Sequence, residues 1–287
     1  MLEDKIRVAI KQGDCRKVAG LVATATGTVK LGGCLRLASG EGQPECMQLL
    51  LAANAAIDQA ASDGTTPLYA ACNQGHGDCV QWLLAANAAI DQAASNGITP
   101  LYNACAQGHG DCVQLLLAAN AAIDQADSNG ITPLYAACIK GHGDCVQRLL
   151  AANAAIDQAD SDGVTPLIAS TSRGHLDVVK LLVQAGSRTD LRSSHGTALD
   201  VAQAAGHTAV VRFLRNPRRA SVSVVAAVPV SAEERATAER AAELAAAALL
   251  AEEEASAQQG QSRKKKASKK SKPTACAQSA AAGSAEP

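Results

Sequence analysis

The sequence predicts an all-α solenoid of stacked helix-turn-helix units with β-hairpin loops, followed by an Ala/Glu-rich helix and a disordered basic tail. Three observations carry this. A 33-residue period runs through the middle of the chain: Asp63–Ser95 and Asn96–Ser128 differ at six positions, and Asn96–Ser128 and Asn129–Ser161 at four. Apolar residues make up 47% of the 287 but aromatics only 2%, so a core must form from many small contacts between closely spaced elements. After Asn216-Pro217 the period stops and the composition turns to Ala, Glu, Lys and Ser.

From the amino end, residues 1–29 read as N-terminal capping helices, and Gly13-Asp14-Cys15-Arg16-Lys17-Val18 looks like the second half of a degenerate unit. The solenoid spans 30–216, divided as 30–62, 63–95, 96–128, 129–161, 162–194 and a shortened 195–216. Thr66-Pro67 opens a first helix, because a Thr hydroxyl caps and Pro at the first helical position lacks no needed donor. That helix runs from Leu68 to Asn73 and is interrupted at Gly75-His76-Gly77. Asp78 falls in the first turn of a second helix, where a carboxylate suits the dipole, and Cys79, Val80, Leu83 and Leu84 give it one buried stripe. Asn87 ends it with a left-handed cap, and an extended arm, Ala89 to Gln92, leads on to the next tip. The tips Asp63-Gly64, Asn96-Gly97, Asn129-Gly130 and Asp162-Gly163 are tight-hairpin dipeptides in register. Neither helix is long enough to stand alone, so each unit must be held by its neighbours. Residues 217–230 read as a linker, and Ser231-Ala232-Glu233-Glu234 as the capping-box start of a helix over 231–259. Residues 260–287 lack large apolar groups and are expected to be disordered.

The in-phase elements Thr66-Pro67-Leu68, Gly75-His76 and Leu83-Leu84 resemble the ankyrin repeat family over residues 30–216. The resemblance implies a stack whose hairpin tips and first helices line a concave groove, and a monomeric, non-enzymatic module that binds another protein through it. There are departures. Tyr69, Tyr102, Tyr135 and then Ile168 stand where the family has His after Thr-Pro-Leu. Asn54, Asn87, Asn120 and Asn153 replace the family's helix-ending Gly, which returns at Gly186. Residues 30–62 lack the tip dipeptide and carry Gly33-Cys34-Leu35-Arg36 in place of the helix opening, as suits a capping unit that meets water.

Cys72-x3-His76-x2-Cys79, repeated as Cys105/His109/Cys112 and Cys138/His142/Cys145, has the composition of a metal-ligand set. Each unit offers no fourth ligand, Val178 replaces Cys in the next copy, and buried Cys behaves as a small hydrophobe. Core packing is therefore the expected role, with no metal and no cofactor. Ser, His and Asp recur in phase with the scaffold, and no glycine-rich phosphate loop follows a strand, so neither a catalytic residue nor a small-molecule substrate is expected. Met1–Ile10 carries Glu3, Asp4, Lys5 and Arg7 without an apolar run, so secretion is not expected and the ten Cys are expected as thiols. No apolar run reaches the roughly 18 residues of a membrane span, so no membrane partner is expected.

The positions at which near-identical copies differ mark a candidate partner-binding face. They are Thr65/Ile98/Ile131 beside the tip, and Ala70/Asn103/Ala136, Asn73/Ala106/Ile139 and Gln74/Gln107/Lys140 on the first helix, the last series continued by Arg173. Trp82/Leu115/Arg148 differ on the second helix, and Trp82 and Arg148 are of the types enriched at hot spots. Drift after recent duplication is the competing explanation. Asp63–Ser161 holds nine Asp against Lys140 and Arg148, a net charge of −7, which favours a partner with a basic surface and repels nucleic acid. Turn and helix-start roles would account for most of these Asp. Arg263, Lys264, Lys265 and Lys266 resemble a nuclear localisation signal, giving a cytoplasmic or nuclear expectation, and Ser221 in Arg218-Arg219-Ala220-Ser221 is a candidate phosphorylation site. The competing functional class is a nuclear regulator whose helix and tail act while the repeats dock.

Overall fold

The computed structural model describes residues 2–24 and 31–216. The linker, the Ala/Glu-rich segment, the basic tail, Ser221 and the run Arg263 to Lys266 lie outside the described residues.

The described chain is a succession of helix pairs. They are α1 (Leu2–Lys11) with α2 (Cys15–Ala23), α3 (Leu31–Gly40) with α4 (Pro44–Ala52), and α5 (Pro67–Gln74) with α6 (Gly77–Ala85). Then follow α7 (Pro100–Gln107) with α8 (Gly110–Ala118), α9 (Pro133–Lys140) with α10 (Gly143–Ala151), and α11 (Pro166–Arg173) with α12 (Leu176–Gln184). The last pair is α13 (Ala198–Ala204) with α14 (Thr208–Arg215). First helices pack on first helices and second on second, each pair touching its neighbours along the line. The first-helix side is the more closely packed, because small side chains such as Ala71, Ala104 and Ala137 are buried there. Leu68, Leu101, Leu134 and Leu167 from the first helices meet Leu83, Leu116, Leu149 and Leu182 from the second in one continuous core.

Local chemistry sets each helix boundary. The hydroxyls of Thr66, Thr99, Thr132 and Thr165 accept from the N–H groups of Tyr69, Tyr102, Tyr135 and Ile168 at 3.1–3.3 Å, with Pro next in the chain. Gly75, Gly108, Gly141 and Gly174 close the first helices in the left-handed region. Asn54, Asn87, Asn120 and Asn153 follow the second helices at φ of 58–63°, a region Asn tolerates better than other side chains. The unit at 30–62 opens without a Thr-Pro cap, and its first helix starts at Leu31, before Gly33.

Two expectations need correction. Among the described residues, strand pairing occurs only between β1 (Arg192–Ser193) and β2 (Gly196–Thr197). The other tips are tight turns closed by two backbone bonds each, such as Ala94 N–H to Ile98 O and Gly97 N–H to Ala94 O, both 2.9 Å, and the Ser95, Ser128 and Ser161 donors beside them serve the neighbouring tip instead of extending a strand pair. The cysteines are also not all thiols: Cys15 and Cys46, 31 residues apart, form a disulfide between α2 and α4, their Cα atoms 5.2 Å apart and within bridging range. The compartment argument concerns what the solvent permits. The packing of the first two units brings these two sulfurs together.

Three ladders bond one unit to the next. The Nε2 atoms of His76, His109, His142, His175 and His207 lie 3.1–3.2 Å from the carbonyl oxygens of Gly40, Asn73, Ala106, Ile139 and Ser172 in the preceding unit. A carbonyl only accepts, so Nε2 carries the proton. In the unit at 30–62, Gln43 takes this part, its Nε2 donating to Ile10 O at 2.5 Å. Asp58, Asp91 and Asp124 each accept from the backbone N–H 31 residues on, at Ala89, Ala122 and Ala155, all at 2.9 Å. Asp157 accepts from Ser187 and Arg188. At the tips, Ser95, Ser128 and Ser161 donate their N–H groups to Asp63, Asn96 and Asn129 oxygens at 2.9–3.2 Å.

The His ring also fills the space beside the preceding left-handed glycine. A Cβ on Gly108 would lie 2.6 Å from the His142 ring, whereas one on Gly206 (φ 74°) meets nothing within 4 Å. Ala at either position carries the strain of positive φ, on the order of 1 kcal/mol, but only Gly108→Ala also displaces a ring. We expect Gly108→Ala to lower the urea unfolding free energy by at least about 1 kcal/mol more than Gly206→Ala. A second expectation concerns the disulfide: closing a 31-residue loop is worth roughly 3–4 kcal/mol in the chain-entropy account, so dithiothreitol should lower the stability of the α1–α4 region, and Cys46→Ser should abolish the response.

Candidate partner-binding surface

The sequence-predicted binding residues separate into groups. Thr65, Ile98 and Ile131 lie half-buried just after the tips, and Asn73, Ala106 and Ile139 half-buried near the ends of α5, α7 and α9. Gln74, Gln107, Lys140 and Arg173 are exposed at the last helical position. These form two continuous rows along the first-helix side. Ala70 is half-buried, but Asn103 and Ala136 are 5% and 3% exposed and belong to the seam between first helices rather than to open surface. Asn103 donates from Nδ2 to Asn73 Oδ1 at 3.1 Å, so this pair ties α5 to α7.

The two hot-spot candidates stand apart from these rows, on the second helices. Trp82 on α6 is 46% exposed. Arg148 on α10 is occupied internally: Nε donates to Asp144 Oδ2 at 3.0 Å, and a terminal nitrogen donates to Gln114 Oε1 at 3.0 Å. Asp111 lies 3.6 Å from the same guanidinium. Arg148 is therefore an outer-face staple between α8 and α10.

All nine Asp of the central block have local work. Asp91, Asp124 and Asp157 bond across units, and Asp78, Asp111 and Asp144 sit in first turns of second helices. Asp63, Asp127 and Asp160 accept from turn N–H groups at residues 65, 129, 131, 162 and 164. The Thr65 hydroxyl and N–H hold the Asp63 carboxyl below its ordinary value. Burial pushes the Tyr102 phenol up to about 12, with Asp127 adding to it. Tyr135 rises for the same cause, with help from Asp160.

The cysteines and histidines that resembled a ligand set do not converge. Among the described residues no group of three or more His, Cys, Asp or Glu is placed to hold a metal ion. The seven free Cys among the described residues are buried, and His76, His109 and His142 are bonded to carbonyls. Desolvation raises the thiols of Cys79, Cys112 and Cys145 to about 11, and those of Cys72, Cys105 and Cys138 further. These are inert fillers rather than nucleophiles.

Sequence reasoning missed two features of the inner face. Arg36 on α3 holds the place that Tyr69, Tyr102 and Tyr135 hold on later first helices, and it borders three adjoining clefts of about 210, 270 and 330 Å³. Farther along, Tyr135, Val164, Ile168, Ala169 and Val201 line an apolar cleft of about 440 Å³. The signal was present in the exchange of Tyr for Arg36 at one end and for Ile168 at the other, but both were read only as departures from a pattern.

Comparisons with known proteins agree with this geometry. The sequence pattern of the family described as ankyrin repeats (3 copies) matches residues 8–94, 35–127, 86–160, 117–193 and 153–225. No curated protein matches the chain. Among solved structures, the human ASB11 ankyrin repeat domain is similar, with a TM-score of 0.63 and 31% identity, over 70% of this chain and 95% of that one.

The raised thiols and phenol make stability depend on alkaline pH. An unfolded chain ionises Cys near its ordinary 9.0 and Tyr near 10.0, while the folded chain holds these protons to about 11 and 12. The stabilisation is complete below pH 9.0 and is lost as pH rises through about 11 to 12. Circular dichroism against pH should show an alkaline unfolding transition in that window. A neutral thiol reagent at pH 8 should leave the seven buried Cys unmodified until denaturant is added.

Proposed function

Because this chain belongs to the ankyrin repeat family, we propose that it is a non-enzymatic binding protein that holds a partner protein along the face formed by its first helices and turn tips. Repeats of this kind are protein–protein interaction modules in general. One observation supports the face. Positions that bond unit to unit, such as His76/His109/His142 and Asp58/Asp91/Asp124, are identical between copies, whereas the rows Thr65/Ile98/Ile131, Asn73/Ala106/Ile139 and Gln74/Gln107/Lys140 differ. Copies that share one scaffold and differ mainly along one solvent-facing side are suited to contact different parts of one partner.

Binding is stoichiometric, by a monomer, with the rigid stack presenting a preformed surface, so little ordering cost is met on the repeat side. The net −7 of residues 63–161 still acts at a distance even though each Asp has a local role, and it favours a partner with a basic surface over a nucleic acid. The residues at 263–266 direct the protein to the nucleus or leave it shared with the cytoplasm. The experiment is site-specific photo-crosslinking in cells. A crosslinking amino acid at Gln107, on the inner row, should give a discrete protein adduct. The same group at Gln81, exposed on α6, should not. Adducts from Gln81 with none from Gln107 would place binding on the outer helices and contradict this reading.

A further inference from the structure

The inner face changes character along the stack in a way that describes its occupant. In each unit, the carbonyl that accepts the N–H closing the first helix is that of Ala9, Ala38, Ala71, Ala104, Ala137 or Ser170. The residue two positions before it faces the inner side, and the series reads Arg7, Arg36, Tyr69, Tyr102, Tyr135, Ile168. The series thus runs from arginine at the amino end through tyrosine to isoleucine, and it sinks along the way, Tyr135 and Ile168 being only 6% and 3% exposed. Residues 1–62 carry seven Lys and Arg against six Asp and Glu, in contrast to the −7 block that follows.

Arg36 is the focus of the amino end. It is half-buried and borders a cleft shared with Asp4, Arg7, Lys11 and Leu37, another shared with Glu3, Arg7 and Gln59, and a third shared with Glu41, Asp63, Tyr69 and Asn73, so cations and carboxylates are mixed around it. Arg7 is held by Glu3 at 2.7 Å, but among the described residues the Arg36 guanidinium makes no ion pair and no hydrogen bond. A guanidinium on a cleft floor, with five donors and no acceptor, is a seat for a carboxylate. Its single positive charge, with Asp63 close enough to feel it, suits a monoanion better than a phosphoryl dianion. At the other end, the cleft of Tyr135, Val164, Ile168 and Val201, lined also by Ser172 and His195, offers a mostly apolar seat for one large apolar side chain.

We propose that the inner face takes an extended segment of a partner protein that sets an Asp or Glu on Arg36 and an apolar side chain in the Ile168 cleft. The spacing follows from the stack. Four helix-to-helix steps of about 8–10 Å separate α3 from α11. A β-extended chain rises about 3.3 Å per residue, so the two anchors lie roughly 10–12 residues apart. The proposal deepens the groove-binding reading above and rests on it.

The test is selection of a phage-displayed random 16-residue peptide library on the full chain and on Arg36→Glu and Val201→Glu variants, each first checked for an unchanged melting temperature. Wild-type selections should converge on an acidic residue separated by about 10–12 positions from Leu, Ile, Val, Phe or Met. On Arg36→Glu, the acidic position should give way to Lys or Arg, and a synthetic wild-type-selected peptide should bind at least about tenfold more weakly. On Val201→Glu the apolar preference should disappear. If Val201→Glu melts early, the Arg36→Glu result decides alone. Consensus peptides without an acidic residue, affinity within about twofold on Arg36→Glu, or no selected peptide at all would overturn the inference. Peptides that crosslink from Gln107 but lack the acid–apolar pair sink this inference alone. Peptides that crosslink only from Gln81 sink the groove-binding reading with it.

Discussion

The structure depends on a ring set over a missing side chain. At every junction from α5 onward, the His at the break between two helices lies against the left-handed Gly that follows the previous unit's first helix, and its Nε2–H reaches the carbonyl two residues before that Gly. Three requirements meet at one point. The glycine must have positive φ, it must have no Cβ, and the carbonyls freed at the helix end must find a donor. A residue that met only one of these would loosen the junction, because eight- and nine-residue helices have little stability of their own. The Asp ladder on the arms and the tip-to-tip bonds repeat the principle: one unit's unsatisfied backbone group is completed by the next unit's side chain or carbonyl.

This arrangement separates scaffold from surface. Interior columns filled by Leu, Val, Ala and Cys bury small or medium side chains at identical places in each unit, which is how a chain with 2% aromatics builds a continuous core. Since the bonds that repeat from unit to unit lie in the breaks, arms and tips, exposed first-helix positions such as Gln74, Gln107 and Lys140 are free to vary without loosening the stack. The changes from Arg36 through the Tyr row to Ile168 reach deeper, Tyr135 and Ile168 being 6% and 3% exposed. They alter charge and polarity along the line while the backbone beneath them repeats.

Much of the fold was legible in the sequence because its determinants are local. The 33-residue period, the Thr66-Pro67 opening, the glycine break and the left-handed Asn87 each follow from the conformational preferences of one or two residues. What was not legible depends on contacts between units. His76 looked like a shaper of its own break, yet its bond is to Gly40, 36 residues back. Gln43 gave no hint that it would stand in for His, and Cys15 meets Cys46 only because the divergent first units stack closely. The candidate surface was partly legible. Differences between copies picked out Ile98, Gln107 and Ile139 as candidates, but could not tell an exposed row from the seam that buries Asn103 and Ala136, since both lie along the same first-helix side. The partners of Arg148 were hidden for a similar reason: Asp144, Gln114 and Asp111 come from two helices.

The most direct measurement is the protonation and exchange of the five junction histidines by long-range proton–nitrogen correlation in the uniformly labelled full chain. If the ladder holds the stack, His76, His109, His142, His175 and His207 all show a proton on Nε2, and these protons exchange slowly with water. His195, whose ring lies 3.0 Å from the neighbouring Ser194 hydroxyl and takes no part in the ladder, serves as the internal control. Averaged tautomers and rapidly exchanging protons at the five positions would contradict the account.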